Sequence, residues 1–154
     1  MGFFKRLFRD SGPLSATASI QRGRVYLAEG RYDRAIAAFT AAIRLDSSNA
    51  TAHGNRGLAY QEAGDYEAAI ADYTEAIRRD PHGADTYLRR GDAYFAQDDF
   101  DRAIDDYGEA IALDPGLAPA YYHRALAQVE KGHAVRGKAD RQKAARFDPA
   151  LRLP

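Results

Sequence analysis

No cysteine and no tryptophan occur among the 154 residues, and methionine occurs once. Without thiols the chain can carry no disulfide scaffold, thiolate metal site or cysteine nucleophile. Net charge is missing as well, since 22 basic and 22 acidic side chains cancel. That balance removes the global electrostatic argument for a nucleic-acid binder. No apolar run approaches the ~18 residues that a bilayer span requires. The start, MGFFKRLFRD, is broken by charge before an apolar stretch develops, so no secretory leader is expected. Metal-ligand spacings are lacking too: His53, His82, His123 and His133 form no H-E-x-x-H. Glycines stand singly and cradle no phosphate, and serines are few. The expectations are a soluble cytoplasmic protein with no cofactor, no metal and no enzymatic activity.

What is present is a core-forming composition, 45% hydrophobic and 11% aromatic, in a length that suits one compact unit. The chain also repeats itself. Asp46, Asp80, Asp114 and Asp148 recur at steps of 34 residues, and the same step aligns Ala42, Ala76, Ala110 and Ala144. It aligns Arg22-Gly23, Arg56-Gly57 and Arg90-Gly91 with Arg124-Ala125. Four units follow: 16–49, 50–83, 84–117 and 118–151.

Each unit reads as two helices. Tyr66, Ala69, Ile70, Tyr73, Ala76 and Ile77 follow intervals of three and four, the mark of an amphipathic helix. Gly30, Gly64 and Gly132 supply turns between helices, and Pro81, Pro115 and Pro149 discourage continuation of the second ones. Small residues recur where two helices must approach: Gly23, Gly57, Gly91 and Ala125 in the first helices, Ala35, Ala69 and Ala103 in the second. Large ones recur to fill the gap: Tyr26, Tyr60 and Tyr94 against Phe39, Tyr73 and Tyr107.

This pattern resembles the tetratricopeptide repeat family. The 34-residue period, G-x-A-Y in the second and third units, D-Y/F before the second helix and D-P at the end carry the resemblance. The fold it implies is all-α, a right-handed superhelical solenoid of four antiparallel helix pairs. Unit four departs most, with Gln128, Ala134, Gly137 and Arg141 in place of larger or aromatic residues. It reads as a C-terminal cap whose outer face meets water at Arg141.

The resemblance further implies a concave groove lined by the first helices, suited to a peptide or a single helix of a protein partner. Its implied residues are Ile20, Arg24 and Leu27; Asn55, Leu58 and Gln61; Leu88, Arg89, Asp92 and Phe95; and Tyr122, His123 and Leu126. One subgroup of the family clamps carboxylate tails of chaperones with lysine, asparagine and arginine. Only Asn55 and Arg89 match that clamp here. Ile20 and Asp85 stand where it needs lysines and Arg24 where it needs asparagine, so the clamp reading is rejected.

Two further patterns bear on architecture and partners. Arg22, Arg56, Arg90 and Arg124 recur, and units two to four also carry Asp72, Asp106 and Asp140, whereas unit one has Ala38. An Arg–Asp contact inside each unit is the expectation. Unit three holds three basic against nine acidic residues and unit four seven against three, so an acidic middle is flanked by basic ends. A solvated convex face, a partner with basic groups and end-to-middle self-association all account for that.

Residues 1–15 lie outside the repeat. Phe3, Phe4, Leu7 and Phe8 fall on one helical face beside Lys5, Arg6 and Arg9. The segment reads as a lid on unit one or a partner-docking element, alternatively as a basic amphipathic anchor on a membrane surface, or else as a disordered tail. Eighteen arginines against four lysines point to a GC-rich bacterial genome.

Overall fold

The computed structural model describes residues 15–151. The lid and anchor readings of residues 3–8 fall outside that range. Eight helices follow one another: α1 Ala16–Ala28, α2 Tyr32–Leu45, α3 Ala50–Glu62, α4 Tyr66–Arg79, α5 Ala84–Ala96, α6 Phe100–Leu113, α7 Ala118–Glu130 and α8 Ala134–Phe147. A 3₁₀ turn, Pro149–Leu151, packs back on α8. There is no strand among the described residues. Odd helices start at 16, 50, 84 and 118 and even ones at 32, 66, 100 and 134, so the 34-residue step holds at every boundary. Consecutive helices pack as antiparallel pairs, and each pair packs on the next through α2 with α3, α4 with α5 and α6 with α7. The odd helices also touch one another, α1 to α3 to α5 to α7, and so form one continuous wall. The fold is an all-α solenoid of four helix pairs.

Local chemistry explains why the turns recur. After α1, Gly30 adopts φ 70°, its N–H bonds the Leu27 carbonyl and the Arg31 N–H bonds the Tyr26 carbonyl. That Schellman arrangement satisfies carbonyls which a helix end leaves unpaired. It repeats at Gly64 and Gly132, and Asp98 takes the same place at φ 58° after α5. The recurring aspartates have an equally local task. Asp46, Asp80, Asp114 and Asp148 each end an even helix and accept the backbone N–H two residues on, at 3.0–3.1 Å. Such Asx turns redirect the chain toward the next helix.

Inside a pair, small meets large. A Cβ added to Gly23 would stand 2.5 Å from the Phe39 ring, and one added to Gly91 would stand 2.6 Å from the Tyr107 ring. Phe39, Tyr73 and Tyr107 are the largest fully buried side chains. The fourth pair reverses the arrangement, with Ala125 on α7 and Gly137 on α8, where a Cβ would come within 3.0 Å of the Ala125 carbonyl oxygen. Close approach is kept and the glycine has changed sides.

The outer face of that last pair corrects one expectation. Arg141 does not simply meet water: it is half-buried, and its Nε is sealed from solvent without a hydrogen-bond partner. Solvent reaches α8 instead at Val135 and Phe147, which are 86% and 53% exposed.

The expected Arg–Asp contacts are present in three pairs. Arg56 meets Asp72, Arg90 meets Asp106 and Arg124 meets Asp140, each through two N–H···O bonds of 2.7–2.9 Å. The aspartates are only 5% exposed. A carboxylate so far from water needs a two-pronged partner, and the planar guanidinium supplies it. Two of the arginines reach a third group. Arg56 Nη1 donates to Thr40 Oγ1 at 3.0 Å and Arg90 Nη1 to Thr74 Oγ1 at 3.1 Å, each threonine belonging to the preceding pair. One side chain thereby ties together three helices.

Candidate functional site

The wall of odd helices carries two cavities. The larger, about 600 Å³, lies across α1, α3 and α5 and is lined in part by Arg24, Leu27, Asn55, Leu58, Asp85 and Arg89. The smaller, about 240 Å³, is lined by Asp92 and Phe95 of α5, Tyr107 of α6, and His123 and Leu126 of α7. Nine of the thirteen residues singled out in the sequence therefore gather at two places.

The other four sit differently. Ile20 and Leu88 are each only 7% exposed, packed in the cores beneath the wall. Gln61 accepts a hydrogen bond from the Tyr73 hydroxyl at 2.9 Å and so holds a core ring. Tyr122 stands edge-on to His123, with ring centroids 5.7 Å apart.

The larger cavity is of mixed charge. Arg89 Nε donates to Asp85 Oδ2 at 2.7 Å, one turn back along α5. Burial is the largest single influence and disfavours the guanidinium's charge, but the bond to Asp85 and the negative charges of Asp85 and Asp92 together outweigh it, so the pKa of Arg89 rises. Glu62 and Asp80 add two more carboxylates to the lining, and Arg24, which also lines it, is exposed. Asn55 also lines this cavity, and its amide nitrogen is sealed from solvent without a hydrogen-bond partner among the described residues. Asp85 escaped the sequence reading of the site as a partner for Arg89, although its i,i+4 spacing on a helix was the available signal.

The smaller cavity is built on one carboxylate. Asp92 Oδ1 accepts from the Tyr107 hydroxyl at 2.9 Å and from His123 Nδ1 at 2.7 Å. A carboxylate only accepts, so the His123 ring carries its hydrogen on Nδ1. Burial first, and the Asp92 charge second, push the Tyr107 phenol far above its ordinary range, so it remains a donor. The Tyr107 and His123 rings lie edge to face at 5.9 Å, and Phe95 packs edge-on to Phe100 at 5.3 Å. The sequence showed Tyr107 as a core residue, which it is, and its hydroxyl also fixes Asp92. Among the described residues no three His, Asp or Glu side chains cluster as metal ligands, and no helix is long and apolar enough to cross a membrane.

The tetratricopeptide repeat signature matches residues 4–50, 20–84, 55–118 and 88–137. The chain belongs to the tetratricopeptide repeat family. A solved structure of MamA is 27% identical with a TM-score of 0.84, over 88% of this chain and 79% of that one. The first tetratricopeptide domain of Spaghetti (RPAP3), bound to the HSP90 peptide SRMEEVD, is 26% identical with a TM-score of 0.75, over 76% of this chain and 93% of that one. The second such domain of human RPAP3, in complex with the HSP70 peptide SGPTIEEVD, is 32% identical with a TM-score of 0.71, over 73% and 94%. No curated protein sequence matches the chain.

Proposed function

We propose that this protein is a non-catalytic scaffold or adaptor that binds a segment of a protein partner along the wall of its odd helices. The observation that carries this reading is the alignment of two cavities on rigid helices, each with apolar side chains beside a few placed polar groups. Two structural relatives hold peptides, which supports a peptide as the ligand class. Their peptides end in EEVD. An acidic tail suits this chain poorly, because Asp85 already occupies Arg89 and Glu62 and Asp80 line the same cavity. The arginine-rich composition supports a bacterial source for such an adaptor, and a cytoplasmic location is part of the proposal.

Affinity capture with the chain as bait tests the reading. Phe95→Ala, at the smaller cavity, is expected to reduce capture, whereas Asp98→Ala, on an exposed turn, leaves it unchanged. Equal capture by both variants, with circular dichroism showing both folded, would remove the odd-helix wall as the binding face.

A further inference from the structure

The carboxylate on the wall of the smaller cavity keeps one oxygen free to accept. Asp92 Oδ1 is taken by Tyr107 and His123, while Oδ2 receives no hydrogen bond from the described residues. With Nδ1 of His123 committed to Asp92, its Nε2 has no hydrogen-bond partner among the described residues. The Tyr107 hydroxyl has already given its hydrogen to Asp92. Both members of the Asp92–His123 pair keep a quarter to a third of their side-chain surface, 28% and 35%, in contact with solvent. Whatever enters must therefore donate.

Charge narrows the choice. Segment 84–117 carries nine acidic residues against three basic ones, and both cations of α5, Arg89 and Arg90, are already held by Asp85 and Asp106. No arginine or lysine hydrogen-bonds to the Asp92 carboxylate among the described residues, so a positive group is the complementary one. The remaining lining is Phe95, Leu126 and the Tyr107 ring, which suits an apolar stem and the flat face of a delocalised cation. About 240 Å³ is below the ~300–1,000 Å³ typical of whole-ligand pockets and matches a single side chain. Lysine would bring a compact, strongly hydrated charge, whereas a guanidinium brings several donors in one plane and sheds water more readily.

We propose that this cavity receives an arginine side chain of the bound segment, its guanidinium donating to the free oxygen of Asp92 and its stem lying against Phe95 and Leu126. This rests on the groove reading above and names the ligand class of one part of it. The partner segment is then basic at the point where it crosses from α5 to α7.

The test uses the full chain, labelled with ¹⁵N, and N-acetyl-arginine methylamide as probe. Saturable shifts are expected at the amides of Phe95, His123 and Leu126. The citrulline analogue keeps the shape and loses the charge, and should bind about tenfold more weakly, the loss of one charge-assisted hydrogen bond. Asp92→Asn should bring arginine down to the citrulline level. If that variant does not fold, the wild-type comparison decides alone. Equal affinity for the two probes, shifts confined to other helices, or tighter binding of N-acetyl-tryptophan methylamide would overturn the proposal. An absent arginine response with capture still sensitive to Phe95→Ala overturns this inference and leaves the groove reading standing. Capture indifferent to Phe95→Ala removes the groove reading instead.

Discussion

Gly91 lies under the ring of Tyr107 so closely that a methyl group at its Cα would stand 2.6 Å from Cε1. Gly54, also inside an odd helix, has only the Ala76 Cβ nearby, at 3.9 Å. The same substitution should therefore act in opposite directions. Gly54→Ala gains helix propensity and is expected to stabilise by about 1 kcal/mol. Gly91→Ala gains as much but forces the fully buried Tyr107 aside, an overpacking cost of about 1–3 kcal/mol that makes the net effect destabilising. Urea unfolding midpoints of the two variants check this. A stabilised Gly91→Ala would mean that the α5–α6 contact is looser than the packing described.

Asp98 is the non-glycine residue that the described structure holds at positive φ, at the place where Gly30, Gly64 and Gly132 stand. A left-handed conformation costs an L-residue roughly 1–2 kcal/mol, less for aspartate, and glycine escapes it. Asp98→Gly is expected to raise stability by about 0.5–1 kcal/mol, a gain of a few degrees in melting temperature. Removing a carboxylate beside Asp99 and Asp101 works in the same direction. An unchanged or lower melting temperature contradicts the strain at this turn.

The repeat made the architecture legible, because every helix start recurs at a step of 34, and so does the small–large contact of the first three pairs. Recurrence also exposed the Arg–Asp contacts, since an arginine and an aspartate sixteen residues apart appear three times over. The threonines that Arg56 and Arg90 also reach lie sixteen residues before them, and that symmetry was present in the sequence unused. The site was less legible for the opposite reason. The Asp92–Tyr107–His123 cluster occurs once, joins residues 15 and 31 positions apart, and belongs to no period. Ile20 and Leu88 are on the odd helices, yet a helix presents several faces and theirs points into the core.

Glu75 accepts hydrogen bonds from Arg78 at 2.7 and 2.9 Å and from Arg79 at 2.7 Å. Those bonds, Arg78's first, hold its carboxyl at about 2 against an ordinary 4.5. Between those values the unfolded chain binds a proton that the folded chain refuses, so stability falls as pH drops through that window and is fully present above it. Glu75→Gln should therefore show a shallower loss of stability between pH 4.5 and 2 than the native chain. Superimposable acid limbs in urea titrations would show that this exposed cluster is screened by solvent.

Arg22 stands where Arg56, Arg90 and Arg124 stand, but its helix partner offers Ala38, 5% exposed, in place of an aspartate. The three complete pairs predict what Ala38→Asp does. A carboxylate placed there is shut off from water and must be answered by the guanidinium one helix away, as Asp72 is answered by Arg56. A buried ion pair has little net worth against an apolar alternative, so Ala38→Asp alone should change stability by no more than about 1 kcal/mol. Its signature is coupling. Arg22→Ala is expected to be nearly silent in the native chain, where Arg22 is exposed, and to cost about 3 kcal/mol in the Ala38→Asp background, where it strands a buried carboxylate. A double-mutant cycle measures the difference directly. A coupling near zero would show that the first pair, despite sharing the backbone register of the others, does not share the side-chain geometry that binds α3 to α4 and α5 to α6.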